Sequence, residues 1–155
     1  MVYIRNFNDN DVDFIFDNWA ENPRWDGCKF DKDKMEILSL INEFNTKKFD
    51  NRYFEQFVIT YNEMLVGMIS LYHQTEREAS VGVFVHQDFR RRGIATKAYS
   101  LIEDVAKKKG YKILSAGVSE ENHASINMHI KLGFKKEIIK INKLGESQIK
   151  FVKEL

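Results

Sequence analysis

The sequence predicts an α/β (α+β) fold, in which a mixed, mostly antiparallel central sheet of about six to seven strands carries helices on both faces. Three observations support this prediction. Runs with strand-like alternation recur between stretches with helical spacing. Short polar turns join some of these runs as hairpins, and one strand-helix-strand crossover adds a parallel pair. With 155 residues, the chain fits one domain spanning residues 1–155.

The first third of the chain is predicted to contain one strand and two helices. Residues from Val2 to Phe7 alternate as a strand. Two stretches with helical spacing follow, and a turn-like segment around Asn22, Pro23 and Gly27 between them is a candidate substrate loop. The predicted apolar faces consist of Val12, Ile15, Phe16 and Trp19 in the first helix and of Ile37, Leu38, Ile41 and Phe44 in the second.

Strands dominate the remainder of the chain. Phe54 to Thr60 and Met64 to Tyr72 are β-rich runs joined at Asn62-Glu63, which predicts a hairpin. After Arg92-Gly93, helical spacing predicts a helix that ends at Gly110. The other predicted elements are strands at Ala79 to His86 and Lys112 to Val118, a helix at Asn122 to Leu132, and a hairpin of Phe134 to Ile141 with Gln148 to Val152.

Composition argues against several classes of function. The 24 basic residues are balanced by 23 acidic residues, so net charge gives no argument for a nucleic acid or a membrane as a partner. Cys28 is the only cysteine, which excludes an intrachain disulfide and a cysteine-based zinc site, and no metal is expected. The N-terminus does not resemble a signal peptide, and no run approaches the roughly 20 apolar residues that span a bilayer. We therefore expect a cytoplasmic protein.

The segment from Val81 to Gly110 places a strand before a basic, glycine-containing turn that opens an amphipathic helix. The first turn of a helix leaves backbone N–H groups unpaired and carries about half a positive charge, so it can bind a phosphate. Gly93 permits a close approach, and the three arginines before it add charge. A solvated basic turn is the alternative interpretation. The phosphate-loop pattern G-x-x-x-x-G-K-[ST] is absent.

Two motifs carry a resemblance to a known family. The basic turn reads Arg90-Arg91-Arg92-Gly93-Ile94-Ala95 and follows a strand that ends in Phe84-Val85-His86. Further on, the segment from Asn122 to Phe134 reads NHASINMHIKLGF. The first motif matches [R/Q]-x-x-G-x-[G/A], the acetyl-coenzyme A motif of the GCN5-related N-acetyltransferases, and the second is similar to another motif of that family. The chain thus resembles this family over residues 53–140, which implies the GNAT fold.

The resemblance implies transfer of acetyl from acetyl-coenzyme A to a primary amine by direct attack in a ternary complex. It implies that strand backbone near Phe84 and Val85 pairs with the pantetheine arm where the sheet splays, and that Gly82 permits a bulge there. The turn is expected to hold the diphosphate. The implied cofactor-binding residues are Phe84, Val85, Arg90, Arg91, Arg92, Gly93, Ile94, Ala95, Thr96, Asn122 and Ser125. Asn122 is also a good helix N-cap, and the two roles are compatible.

The family resemblance makes His129 the candidate general acid, which would protonate the departing thiolate. Many members carry Tyr at this position. A His there resembles the phosphinothricin-acetyltransferase-like branch, whose N-x-x-S-x-x-x-H-x-x-L-G-F pattern this segment also matches. The alternative is a histidine that packs beside the cofactor.

Glu78 is the candidate general base. Ser80 occupies the strand position where relatives often carry Glu, and Glu78 lies two residues earlier, on the same face of the strand. Glu76, His73 and Tyr72 are further polar candidates, and an acceptor amine of low pKa would need only bulk water.

The acceptor is left open by the sequence as a small-molecule amine or a protein N-terminus. Trp19, Trp25, Phe30 and Phe54 are candidates for an acceptor pocket, although aromatic residues at such positions are more often part of the core. A homodimer is a further expectation. The competing interpretations are an acyl-coenzyme A sensor without turnover and a domain that binds the phosphates of another ligand at the arginine turn.

Overall fold

The computed structural model describes residues 1–18, 33–45, 52–141 and 145–155, apart from the side chain of Phe44. These residues form a seven-stranded mixed sheet in the order β1-β2-β3-β4-β5-β7-β6, with helices on both faces. The fold class predicted from the sequence is confirmed. In the described part of the chain, no helix is long and apolar enough to cross a membrane.

The predicted elements appear in the expected order, with ends that differ by one or two residues. The strands are β1 (Val2–Asn6), β2 (Phe54–Tyr61), β3 (Met64–His73), β4 (Glu78–Val85), β5 (Ile113–Ser119), β6 (Lys135–Ile141) and β7 (Ser147–Glu154). The helices are α1 (Val12–Asn18), α2 (Lys34–Asn45), α3 (Ile94–Lys108) and α4 (His123–Lys131), with single 3-10 turns at Asp9–Asp11 and Gln87–Phe89.

The predicted hairpin between β2 and β3 has the expected two-residue turn. Tyr61 pairs with Met64, and both residues between them have positive φ, 49° at Asn62 and 69° at Glu63. Two consecutive left-handed residues match the right-handed twist of the flanking strands, which makes such turns favourable in hairpins.

The two faces of the sheet carry separate cores because side chains alternate along each strand. On one face, α3 packs through Ala98, Tyr99 and Ile102 onto a cluster that includes Val81 and Phe151. On the other face, α1 and α2 pack through Ile15, Ile37 and Ile41 against Val58, Met68 and Phe84. Phe16, predicted to lie on the apolar face of α1, is instead exposed, while Ile15 is fully buried.

The sheet opens between its two central strands. The parallel strands β4 and β5 pair only from Glu78 with Ile113 to Ser80 with Ser115. Beyond these rungs, residues 81–85 of β4 keep pairing with β3, and residues 116–119 of β5 keep pairing with β7. We call the gap between residues 81–85 and residues 116–119 the fork. Its two walls therefore belong to different halves of the sheet.

The bulge expected at Gly82 is absent. The register of β3 with β4 runs without a shift from Gly67 opposite Val85 to His73 opposite Ala79. A Cβ at Gly82 would lie 3.0 Å from the Oγ of Ser70, which is a tight contact. The glycine makes room for a neighbouring serine and leaves the strand regular.

Candidate functional site

The N-terminus of α3 lies just after the open end of β4 and has no capping side chain. Gly93 is its N-cap residue, with φ of 74°, a backbone conformation that glycine adopts without steric cost. A Cβ added at Gly93 would find no atom within 4 Å, so there is open space above the helix end. Ile94 is buried in the core and anchors the first turn of the helix. The unpaired N–H groups of this turn therefore face space that a ligand can fill.

The three arginines of the turn occupy different environments. The Nε of Arg90 donates to the carbonyl of Val85 at 2.9 Å, and its guanidinium lies over the ring of Phe84 at 5.7 Å. Arg90 therefore fixes the turn to the end of β4. Arg92 lies over the ring of Phe89 at 5.3 Å, and Arg91 is exposed with φ of 62°. Arg91 and Arg92 thus add positive charge beside the helix end.

The other predicted cofactor residues on β4 and α3 differ in what they can offer a ligand. The side chains of Phe84 and Val85 are buried in separate cores, so only their backbone groups could contribute to a ligand site. Thr96 is exposed on the first turn of α3, and Ala95 is half-buried. The predicted contacts of this segment therefore depend mainly on the backbone.

Asn122 is the N-cap of α4, as the alternative interpretation predicts. Its side-chain oxygen accepts the N–H of Ser125 at 3.1 Å. Ser125 is half-buried, and its Oγ lies 3.3 Å from Nδ1 of His129. Asn122 and Ser125 are thereby connected to the predicted catalytic histidine.

His129 lies on the inner face of α4 and is 2% exposed. Its ring stacks on Phe151 of β7 with 5.5 Å between centroids, and it meets the rings of Tyr99 and Phe134 edge-on at 5.2 Å. Its catalytic role stays a prediction. What the structure shows directly is a histidine packed within an aromatic cluster.

Both ring nitrogens of His129 have hydrogen-bond partners. Nδ1 lies 2.7 Å from the carbonyl oxygen of Ser125, and Nε2 lies 2.6 Å from the hydroxyl of Tyr99. Because a carbonyl can only accept, Nδ1 carries the ring hydrogen and Nε2 accepts the O–H of Tyr99. Burial lowers the pKa of His129, although its hydrogen bond to the Ser125 backbone opposes this effect. Burial also raises the pKa of Tyr99. The neutral forms of both residues are favoured.

A polar cleft lies at the closed end of the fork. Ala79 and Val81 belong to the core under α3, so strand alternation places Glu78 and Ser80 on the opposite face. The Oγ atoms of Ser80 and Ser115 are 2.6 Å apart. The cleft is lined in part by Tyr72, Glu78, Ser80, Ser115, Gln148 and Lys150.

Glu78, the predicted base, forms an ion pair in this cleft. Its carboxylate lies 3.2 Å from Nζ of Lys150 on β7, and Lys150 also lies 3.3 Å from Glu137 on β6. Burial opposes protonation of Lys150, but hydrogen bonds to Glu78 and Glu137 outweigh it and raise the pKa of Lys150. Glu78 is therefore a partly buried carboxylate held by a cation. Its role as a base is untested.

The remaining sequence candidates are distributed unevenly around the cleft. Tyr72 lines it, and Phe54 packs against Tyr72 with 6.2 Å between ring centroids. The ring of His73 is hydrogen-bonded to the hydroxyl of Tyr111 at 2.8 Å and is not part of the lining. The other acceptor-pocket candidates, Trp19, Trp25 and Phe30, lie outside the described residues, as does Cys28.

Sequence reasoning missed Ser115, Gln148, Lys150 and Tyr99. The first three reach the cleft through the pairing of β5 with β7, which sets Gly117 opposite Lys150. Tyr99 has the spacing of an ordinary core residue on α3. No local sequence signal distinguishes these residues from their neighbours. Among the described residues, no group of three or more His, Cys, Asp or Glu side chains could hold a metal ion.

Comparison with protein families finds a match over most of the chain. The sequence model of the acetyltransferase (GNAT) family matches residues 13–134. An uncharacterized N-acetyltransferase of Methanocaldococcus jannaschii is 41% identical over 59 residues, which are 37% of this chain and 26% of that protein. The L-amino acid N-acyltransferase MnaT of Escherichia coli is 36% identical over 52 residues, 34% of this chain and 30% of that protein. The chain thus matches less than a third of the length of these relatives.

Comparison with solved structures supports the fold over the whole length. RimJ of Mycobacterium smegmatis, solved in complex with CoA-disulfide, superposes with a TM-score of 0.82, covering 99% of this chain and 81% of that one. The two sequences are 17% identical. At this level of identity the similarity concerns the fold.

Proposed function

Since the chain belongs to the GNAT acetyltransferase family, we propose that it transfers the acetyl group of acetyl-coenzyme A to a primary amine. The observation that carries the proposal is the fork, which opens in the sheet directly before a helix N-terminus without a capping side chain. An extended chain can pair with the free edge of a strand, and a diphosphate can accept hydrogen bonds from the first turn of a helix. The two features lie next to each other in sequence, at the end of β4 and the start of α3.

The described residues fit coenzyme A in two respects. The edges of β4 and β5 that face the fork are unpaired with each other beyond Ser80 and Ser115. The space above Gly93 is empty enough to admit atoms in contact with the backbone. Gly93 to Thr96 would hold the diphosphate, with Arg91 and Arg92 adding charge, while Arg90 keeps the turn in position. Asn122 and Ser125 are proposed as further contacts from the other side of the fork.

The reaction makes three demands on the protein. The amine must be neutral to attack, the developing oxyanion needs a donor, and the departing sulfur needs a proton. In the reaction, a C–N bond forms, the C–S bond breaks, the amine loses a proton and the thiolate gains one. We assign the donor role to a backbone N–H between Val83 and Val85, on the wall of the fork.

We propose that the amine enters through the polar cleft and that Glu78 accepts its proton. Glu78 is partly buried in this cleft and lies on the same strand face as Ser80, at the closed end of the fork. His129 remains the proposed proton donor to sulfur, from the face of the sheet that α3 covers, and it acts in its protonated form, which burial makes a stronger acid because it lowers the pKa of His129. The base and the acid would then act from opposite faces.

The acceptor is proposed to be a small-molecule amine or a protein N-terminus. The name of the relative MnaT favours an amino acid among the small molecules to be tested. The cleft offers a carboxylate from Glu78 and cations from Lys140 and Lys150, so it presents both charges to a ligand.

A homodimer is also proposed, through the sheet edge formed by β6. Ile138, Ile139 and Ile141 on this strand are 49%, 64% and 67% exposed, and β6 is the last strand of the sheet. These isoleucines form an exposed apolar patch on a strand that also carries Lys135, Lys136 and Lys140, and an exposed apolar patch of this kind can be covered by a second copy. Sedimentation of the parent should give a dimer and that of Ile139→Lys a monomer; a monomeric parent would exclude the dimer.

The experiment for the proposed activity combines binding with turnover. Calorimetry measures coenzyme A affinity, and release of free thiol from acetyl-coenzyme A is followed with amino acids, polyamines and short peptides as acceptors. Thiol release that depends on an acceptor supports the transferase. Tight coenzyme A binding without thiol release over the whole panel would favour the sensor interpretation, and binding of ATP in preference to coenzyme A would exclude both.

A further inference from the structure

The hydrogen bond between Tyr99 and His129 connects the two walls of the fork. Tyr99 lies on α3, which packs over β1, β3 and β4. His129 lies on α4 and stacks on Phe151 of β7, the residue that pairs with Ala116 of β5. The 2.6 Å bond therefore links the half of the sheet that ends at β4 to the half that begins at β5.

The hydrogen bond between Tyr99 and His129 lies at the open part of the fork, which distinguishes it from another link between the two halves. A second link joins the same halves, the 2.7 Å ion pair between Glu103 on α3 and Lys153 on β7. Lys153 pairs with Leu114, at the rungs where β4 and β5 still pair with each other. Phe151, beneath His129, pairs with the first residue of β5 beyond those rungs. Tyr99 thus holds the helices together where the fork has already opened.

We propose that Tyr99 is a positioning residue for the acyl transfer, because its hydroxyl holds His129 across the open fork and donates to Nε2, the ring nitrogen without a hydrogen. This inference rests on the proposed function. Tyr99 has 1% of its surface exposed, so its hydroxyl has no access to water to replace the bond. Without that hydroxyl, Nε2 of His129 would be a buried acceptor with no partner.

Ser125 sets the tautomer of His129 that Tyr99 then completes. Its carbonyl, 2.7 Å from Nδ1 of His129, can only accept, whereas its Oγ, 3.3 Å from the same nitrogen, can also donate. The shorter contact is the one to the carbonyl, so Nδ1 carries the hydrogen and Nε2 is left to accept. The hydroxyl of Tyr99 then donates to Nε2 at 2.6 Å and satisfies the nitrogen that Ser125 does not reach. Glu103, on the same helix as Tyr99, is ion-paired with Lys153 at 2.7 Å, so its charge is compensated.

The test compares Tyr99→Phe with Tyr111→Phe. Both variants remove a phenol hydroxyl that is hydrogen-bonded to a histidine, but the partner of Tyr111 is His73, outside the cleft. At a temperature where each variant is folded, we expect kcat/KM for acetyl-coenzyme A to fall about tenfold or more in Tyr99→Phe and to stay within about twofold in Tyr111→Phe. In a His129→Phe background, Tyr99→Phe should cause no further loss.

Nitrogen NMR of labelled histidine gives a readout that is independent of activity. The parent should show hydrogen on Nδ1 of His129, and Tyr99→Phe should move the Nε2 resonance, because that nitrogen loses its hydrogen-bond donor. Each of three results would overturn the proposal. The first is a parent with hydrogen on Nε2 of His129, and the second is equal kcat/KM in Tyr99→Phe and Tyr111→Phe. The third is an additive loss when Tyr99→Phe is combined with His129→Phe. If the parent transfers no acetyl group at all, the proposed function fails and the role in acyl transfer falls with it, while the spectra still decide the tautomer.

Discussion

Gly93→Ala should change two quantities that can be measured separately. Backbone strain should lower the free energy of unfolding, and the added methyl group should weaken the binding of coenzyme A. Gly93 has φ of 74°, and a Cβ there meets nothing within 4 Å. The substitution therefore adds strain without a clash. An L-residue in the left-handed region costs about 1–2 kcal/mol, and the lower entropy of the unfolded chain returns about 0.4–1 kcal/mol. We expect a net loss in the free energy of unfolding of about 1 kcal/mol.

Gly110, just beyond the opposite end of α3, provides the matched control. It has φ of 91°, and a Cβ there also meets nothing within 4 Å. Gly110→Ala should therefore cost about the same stability as Gly93→Ala, about 1 kcal/mol. Only Gly93 borders the proposed diphosphate site.

Coenzyme A affinity should respond in only one of the two variants. A methyl group at residue 93 would occupy space needed for contact with the backbone N–H groups. Losing one hydrogen bond to a charged group costs about 1.5–3 kcal/mol, so Kd should rise about tenfold to a hundredfold. Urea unfolding measures stability and calorimetry measures Kd. If Gly93→Ala binds coenzyme A as tightly as Gly110→Ala does, the diphosphate does not contact this turn.

Three further predictions concern the cleft, the buried histidine and the core. Glu78→Gln should move or flatten the acidic limb of the kcat/KM profile against pH, whereas Glu137→Gln, which removes the other carboxylate at Lys150, should not; matching profiles for the parent and Glu78→Gln would point to another base. Because burial lowers the pKa of His129 in the folded chain, the unfolded chain takes up the proton first as pH falls below about 6.5, and stability is lost. His129→Phe should lack this part of the pH dependence in urea unfolding, and equal slopes would contradict the neutral assignment. Phe151→Ala should lower the free energy of unfolding by about 3–5 kcal/mol, since the ring is fully buried against His129; a loss below about 1 kcal/mol would mean that this core repacks freely.

Several features of this protein were determined by local sequence. The alternation of apolar residues fixed which segments are strands, because side chains on successive residues point to opposite faces. Asn62-Glu63 formed the expected hairpin turn, and Gly93 took the left-handed conformation at the start of α3. The two family motifs contain local features of this kind, the start of α3 at Gly93 and the start of α4 at Asn122. Each depends on residues close together in the chain, so neighbouring residues suffice to specify it.

Only the tertiary structure decided how the site is assembled. The fork exists because β4 and β5 pair over three rungs and then follow different neighbours. Lys150 reaches Glu78 from 72 positions away, and Tyr99 reaches His129 from 30 positions away. Pairings between distant segments depend on the whole arrangement of the sheet and its helices, and no periodicity within one segment encodes them. The sequence therefore predicted which residues to test, while the packing showed that the predicted base is ion-paired and the predicted acid is buried.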